Sequence, residues 1–297
     1  MKIFDCFMYF DEDLVLDLRL NYLNKYVDYF VIVESMFNHN GEKREPNFNL
    51  NKFKDFKDKI IYLLVKDEGK NFYKINKSDD KDKIAGKNIM NALVRENYQR
   101  NHIINGLDRA NDEDWIIISD LDEIPNLELN DLKKIENKIV FFNQLMIYYK
   151  LNLFLEDFPW IGSKACKKKN LSSPQWLRNI KDRKYPWWRL DALFSKTKFS
   201  NVKIFKNGGW HFSYIKKPED IQKKLKSYLH HTEYELNPID TQKISDLIKE
   251  KKTVYNLKVD SRSNKFKEGN LLKKLDMEML PRYINQNKDK YLEWIEK

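Results

Sequence analysis

One stretch of the chain groups residues that can do chemistry: Ile118-Ser119-Asp120-Leu121-Asp122-Glu123-Ile124-Pro125. Carboxylates this close repel one another, and a cation or a proton lets them coexist. Hard divalent ions such as Mg²⁺ or Mn²⁺ suit oxygen ligands and keep positions open for phosphate oxygens. Asp120 and Asp122 are two residues apart, so an extended backbone aims both the same way. The spacing points to a metal site able to grip a diphosphate. The competing reading is a solvated acidic turn after a core strand.

Elements must position these acids. Trp115-Ile116-Ile117-Ile118 predicts a buried strand, with Pro125 expected to stop its ladder. A strand that delivers acids at its carboxyl end is how an open α/β sheet presents a ligand. Further strands are expected over residues 2–9, 28–34, 60–65 and 139–149. A helix should follow Asp11-Glu12-Asp13, with Leu14, Val15, Leu18, Tyr22 and Tyr26 on one stripe. Strand, helix, strand, strand suggests parallel pairing with crossovers. Residues 66–88 read as a polar surface excursion. A helix from Ile89 to Leu107 carries Glu96 and Arg100 at i, i+4, an ion pair on a face otherwise meant for the core.

The second half changes character. Residues 150–206 are rich in Trp, Lys, Pro and Ser, with Trp160, Trp176, Trp187 and Trp188 among them. Leu190 to Ser195 reads as a strand bearing Asp191. In Gly208-Gly209-Trp210-His211-Phe212, the glycines allow a close backbone approach, and His211 falls in an aromatic strand. Pro218 suits a first helical turn, with Ile221, Leu225, Tyr228 and Leu229 as the apolar face. Residues 240–257 and 276–297 read as helices.

Composition narrows the class. The chain has 297 residues, 41% of them hydrophobic, which is enough for a substantial core. Cys6 and Cys166 make neither a disulfide framework nor a zinc spacing, so a reducing compartment fits best. Net charge is +10. Residues 164–206 hold 13 Lys or Arg against Asp182 and Asp191, which leaves the rest of the chain near neutral. Such a segment favours an anionic partner: phosphate, acidic glycan, lipid or nucleic acid. No stretch approaches a membrane span or a signal peptide, and a cytoplasmic protein is expected.

Five stretches, in order, carry a resemblance. They are Phe4-Asp5-Cys6-Phe7 with Leu18-Arg19-Leu20; Phe30-Val31-Ile32-Val33-Glu34-Ser35; Arg95-Glu96-Asn97-Tyr98-Gln99-Arg100-Asn101; Ile118 to Pro125; and Gly209-Trp210-His211-Phe212-Ser213-Tyr214. Over residues 2–235 the chain resembles the glycosyltransferase family of the β-1,4-mannosyl-glycoprotein 4-β-N-acetylglucosaminyltransferase. The resemblance implies a GT-A-like α/β fold with a mostly parallel sheet flanked by helices. Residues 1–130 would form a nucleotide-sugar half and 131–235 an acceptor half. Residues 236–297 would form a helical extension packed on them.

The same resemblance implies transfer of GlcNAc from UDP-GlcNAc to a glycan hydroxyl, with inversion to a β linkage and with Mn²⁺ or Mg²⁺. Asp120-Leu121-Asp122 matches the DXD motif, so Asp120 and Asp122 become metal ligands, Asp120 also faces the donor, and His211 is a further ligand. Glu34 is placed at the uridine. Arg95 and Arg100 meet the nucleotide or orient the acids. Inversion needs a carboxylate base for the acceptor proton. Asp191, an isolated acid in a basic, aromatic segment, is the candidate, with Glu156 and Asp157 as rivals. No counterpart of the animal members' N-terminal membrane anchor is expected, and the basic segment lies outside the matched motifs. The acceptor expected is therefore a glycan or lipid-linked saccharide, with the basic segment in peripheral contact with an anionic membrane. Two other classes remain open. A phosphatase with an aspartate nucleophile also uses a strand followed by Asp-x-Asp, and a nucleic-acid-binding protein would use the basic segment but leaves the acids unexplained.

Overall fold

In the computed structural model, residues 1–227, 238–259 and 268–297 are described. Near-continuous apolar runs make the first strands, as burial on both faces requires. These are β1 (Ile3–Tyr9), β2 (Tyr29–Ser35), β3 (Ile60–Val65) and β4 (Trp115–Asp120). They pair in parallel in the order β3-β2-β1-β4. Side chains alternate between two cores. Phe7, Ile32 and Ile117 enter one, whereas Cys6, Val31 and Ile118 enter the other.

Beyond β4 the direction reverses. β7 (Leu153–Lys167) lies antiparallel between β4 and β6 (Ile139–Tyr148), and β8 (Val202–Ser213) runs parallel to β6. The short β5 (Glu123–Pro125) pairs with β8, and β9 (Lys273–Lys274) with β7. Among the described residues one nine-stranded sheet results. The architecture is α/β, a curled, mostly parallel sheet flanked by helices in one domain, consistent with a GT-A-like fold.

Several sequence expectations need correction. Pro125 does not end β4, which stops at Asp120; it is the last residue of β5, opposite Gly209, and one further backbone bond follows, from Asn126 N–H to Gly208 O at 2.8 Å. Residues 150–206 hide the long strand β7, whose Pro159 and Gly162 argue against a strand. Pro159 is accommodated beside a register shift against β6. Asp191 lies on a helical turn, α4 (Leu190–Leu193), not on a strand.

Helix boundaries also shift. α1 (Asp13–Leu23) buries most of its circumference rather than one stripe. α2 (Lys81–Asn101) starts two turns earlier than the apolar pattern suggests, because Asp80 caps it by accepting from Lys83 N–H. α5 (Pro218–Ser227) buries Ile221 and Leu225, while Tyr228, Leu229 and a boundary at 235 lie outside the described residues. α6 (Thr241–Lys249) is shorter than expected. Pro281 divides the last segment into 3₁₀ turns and the short α7 (Arg282–Gln286). That segment shares the main core through Leu280, Ile284 and Tyr291.

One polar contact inside the first core ties α1 to the acidic turn. Arg19, on α1, is fully buried and holds both oxygens of buried Asp5, at 2.6 and 2.8 Å. Its remaining nitrogen, Nη1, donates to the carbonyls of Asp120, Leu121 and Glu123 at 2.8–3.1 Å. Charged groups are buried only when paired and fully hydrogen-bonded, and this guanidinium meets that condition. Removing one partner of a buried pair costs about 3–5 kcal/mol. Arg19→Met should therefore lower the unfolding free energy by about that amount in urea denaturation. An unchanged midpoint would show the contact to be dispensable.

Candidate active site

The acids sit at the carboxyl ends of the parallel strands, where such sheets bind ligands. Asp120 ends β4, and Asp122 lies in the turn between β4 and β5 rather than on the strand itself. A cleft of about 370 Å³ opens over them, within the range of small-ligand sites. Its walls come from Tyr9 at the end of β1, Glu12 just after it, the loop that follows β2, Glu96 and Gln99 of α2, Trp160, His211 and Lys224.

Cations hold each acid in place. Asp120 Oδ1 accepts from Arg100 at 3.0 Å and Oδ2 from Arg178 at 3.1 Å. Burial alone would raise the Asp120 pKa, but Arg178 and Arg100 outweigh it and hold the carboxyl below the usual range. Arg100 also pairs with Glu96 at 2.7 Å, the i, i+4 pair expected from the sequence. Glu123 is fully buried. It accepts from both Arg178 nitrogens, from Trp160 Nε1 and from the Asp120 backbone N–H. Arg178 comes from α3 (Pro174–Asn179), and its guanidinium also donates to Gly162 O. A Cβ on Gly162 would fall 2.9 Å from Glu123 Cδ and 1.9 Å from Gln144 Oε1, so this contact needs glycine.

Asp122 has different neighbours. His211 Nε2 stands 3.4 Å from Oδ1, and Lys224 Nζ stands 3.4 Å from Oδ2. Burial would raise the Asp122 pKa, yet Lys224 and His211 push it well below the ordinary value. For His211, burial works against the imidazolium, but Asp122 reverses that and the pKa is raised. Lys224 bridges on to Glu12 at 3.2 Å. Burial would raise the Glu12 pKa too, but Lys224 and Lys216 lower it and keep the carboxylate ionised. His211 packs against the Trp160 ring, with centroids 5.0 Å apart. The glycine pair before His211 does meet backbone closely. Gly209, at φ +132°, lies under Ile124 O, and Gly208 lies against Asn143 N.

The structure brings Asp120, Asp122 and His211 to one cleft and sets Arg100 directly behind it. It does not bring the other sequence candidates there. Glu34 is buried and fully engaged by Arg44, Tyr62 and the backbone N–H groups of Asn47 and Phe48. It anchors the loop after β2 rather than lining the cleft. Arg95 pairs with Glu68 at 2.6 Å and reaches His39 O, bracing the same loop from behind. Asp191 is exposed and paired with Arg189 and Lys198. Glu156 pairs with Lys273 on the surface, and Asp157 is exposed.

Sequence reading missed Arg178, Lys224 and the siting of Glu12. Arg178 is one of 13 cations in its segment, and nothing local marks it. Glu12 reads as a helix-dipole acid, which conceals its place on the cleft wall.

The donor atoms decide whether a divalent ion fits. Among the described residues no three His, Cys, Asp or Glu groups cluster in metal-binding geometry. Asp122 and His211 nevertheless fit as two ligands. Their 3.4 Å separation suits two atoms each roughly 2.1 Å from one ion. One or two protein ligands plus substrate phosphates is a common arrangement for such ions.

Comparison with known proteins adds a family to this geometry. Glycosyltransferase family 17 matches residues 1–294, so the chain belongs to that family and is a glycosyltransferase. No curated protein matches the chain.

The ion pairs around Asp120 make a pH prediction. A carboxyl whose folded pKa is depressed contributes stability above its unfolded pKa, about 3.9. That contribution is lost as pH falls through the folded value. Asp120→Asn should therefore flatten the loss of melting temperature below about pH 4 relative to the parent protein. Parallel acid profiles for both proteins would contradict the pairing.

Proposed function

We propose that this member of glycosyltransferase family 17 transfers GlcNAc from UDP-GlcNAc to a glycan hydroxyl with inversion, using Mn²⁺ or Mg²⁺. One observation carries the reading: Asp122 and His211 face each other at 3.4 Å on the wall of a cleft at the carboxyl ends of parallel strands. Family membership supports a sugar donor and a glycan acceptor. It leaves the phosphatase and nucleic-acid readings without support.

Asp122 and His211 would hold the ion, with Asp120 joining only by sharing its carboxylate with Arg100 and Arg178. When bound, the ion supplies positive charge against the departing diphosphate. The chain's own residues do the rest. Arg100 and Arg178 fix Asp120 in one orientation, so no reorganisation is needed as charge develops. Lys224, between Glu12 and Asp122, adds a cation beside the diphosphate path. The Trp160 face, next to His211, offers a platform for a sugar ring.

The acceptor proton needs a carboxylate that lines the cleft. Asp191 does not, whereas Glu12 does. Lys224 and Lys216 keep Glu12 ionised, the state a base must start from, and we assign it that role in place of Asp191.

Two measurements check this. UDP-GlcNAc should raise the melting temperature only with Mn²⁺ present, and Asp122→Ala should abolish that shift in a folded protein. Stabilisation by UDP-GlcNAc without metal, or undiminished in Asp122→Ala, would count against the site. Glu12→Gln should lower kcat by about 10²–10⁴ while donor binding persists. A variant with full turnover would remove Glu12 as the base.

A further inference from the structure

We propose that residues 186–194 form a loop that inserts into the surface of an anionic lipid bilayer. Four large apolar side chains within eight residues meet water: Trp187 is 78% exposed, Trp188 67%, Leu190 70% and Phe194 89%. Large exposed apolar side chains gathered in so short a stretch point to a contact site. Single exposed residues would need no explanation.

The neck of the loop is built. Lys181 N–H donates to Thr197 O at 2.9 Å, and Tyr185 N–H donates to Phe199 O at 3.0 Å. Trp176 Nε1, on α3, donates to Lys196 O at 2.6 Å. Tyr185 is buried at the base. Arg183, Arg189 and Lys198 lie over its ring, at 4.9, 5.5 and 5.7 Å from the centroid. Exposed apolar side chains and cations thus share one short stretch, with Arg189 and Lys198 also paired to Asp191. Residues 181–198 carry six Lys or Arg against Asp182 and Asp191.

Charge complementarity selects the occupant. Tryptophan favours the membrane–water interface. Lys and Arg beneath it are drawn to anionic headgroups, with a strength that salt weakens. A sugar platform would set a flat ring beside hydroxyl partners, whereas here Leu190 and Phe194 join the rings and the neighbours are cations. The neck of the loop follows α3, the helix whose Arg178 grips Asp120 and Glu123. Docking would therefore anchor the chain a few residues from the helix that carries Arg178. If the transferase reading holds, a lipid-linked saccharide acceptor would be presented there.

The test is sedimentation of the full chain with phosphatidylcholine vesicles, with and without phosphatidylserine, at low and high salt. The parent protein should pellet with the phosphatidylserine vesicles at low salt and be released by high salt. Trp187→Ser/Trp188→Ser/Phe194→Ser should weaken that binding by about tenfold or more. Bromine-labelled acyl chains should quench tryptophan fluorescence in the parent and not in the variant. The variant should keep its UDP-GlcNAc thermal shift, which separates a failure of docking from a failure of the donor reading. No pelleting of the parent, or equal pelleting of both proteins, overturns the proposal. So does loop tryptophan fluorescence that responds to a soluble glycan but not to vesicles.

Discussion

A guanidinium sealed between α1 and the acidic turn sets the shape of the whole site. Arg19 neutralises Asp5 of β1 and gathers three turn carbonyls. A turn of this composition would otherwise splay, because its side-chain acids repel and its carbonyls point into a core. The buried pair is expensive to desolvate, and satisfied hydrogen bonds on all three nitrogens offset that. The local consequence is a fixed backbone, and the functional consequence is a fixed direction for Asp120 and Asp122.

Outward from Arg19, positive and negative groups alternate across the cleft floor. Arg100 and Arg178 frame Asp120; Arg178 and Trp160 secure Glu123; His211 and Lys224 flank Asp122; Lys224 reaches Glu12. These groups come from β4, β5 and the turn between them, β7, β8, α2, α3, α5 and the residue before α1. Strands supply Asp120 and Glu123, the turn supplies Asp122, and helices supply the arginines and Lys224. Rigid elements place charges more closely than loops can, which is what electrostatic preorganisation requires.

Much of this was legible in the residues. The β-branched run before Asp120, the Glu96–Arg100 spacing and the glycine pair before His211 each carried a local signal that the structure repeats. What stayed hidden shares a physical cause. β7 reads poorly because Pro159 and Gly162 serve the bulge and the Glu123–Arg178 contact rather than strand propensity. Arg178 and Lys224 reach the acids only through tertiary packing, across 58 and 102 positions of sequence. Asp191 looked isolated in sequence and proved to be paired by its own neighbours. Glu34 and Arg95 fell inside recognisable motifs, yet their side chains brace the loop beside the cleft.

The central claim is that the acidic turn, held by buried arginines, presents Asp122 to a cation that grips a sugar donor's diphosphate. Anomalous diffraction from crystals grown with UDP and Mn²⁺ tests it most directly. A manganese peak in bonding distance of Asp122 and His211, bridging to the diphosphate, is the expected result. A nucleotide bound elsewhere, or one seated in the cleft with no manganese at that pair, would contradict it.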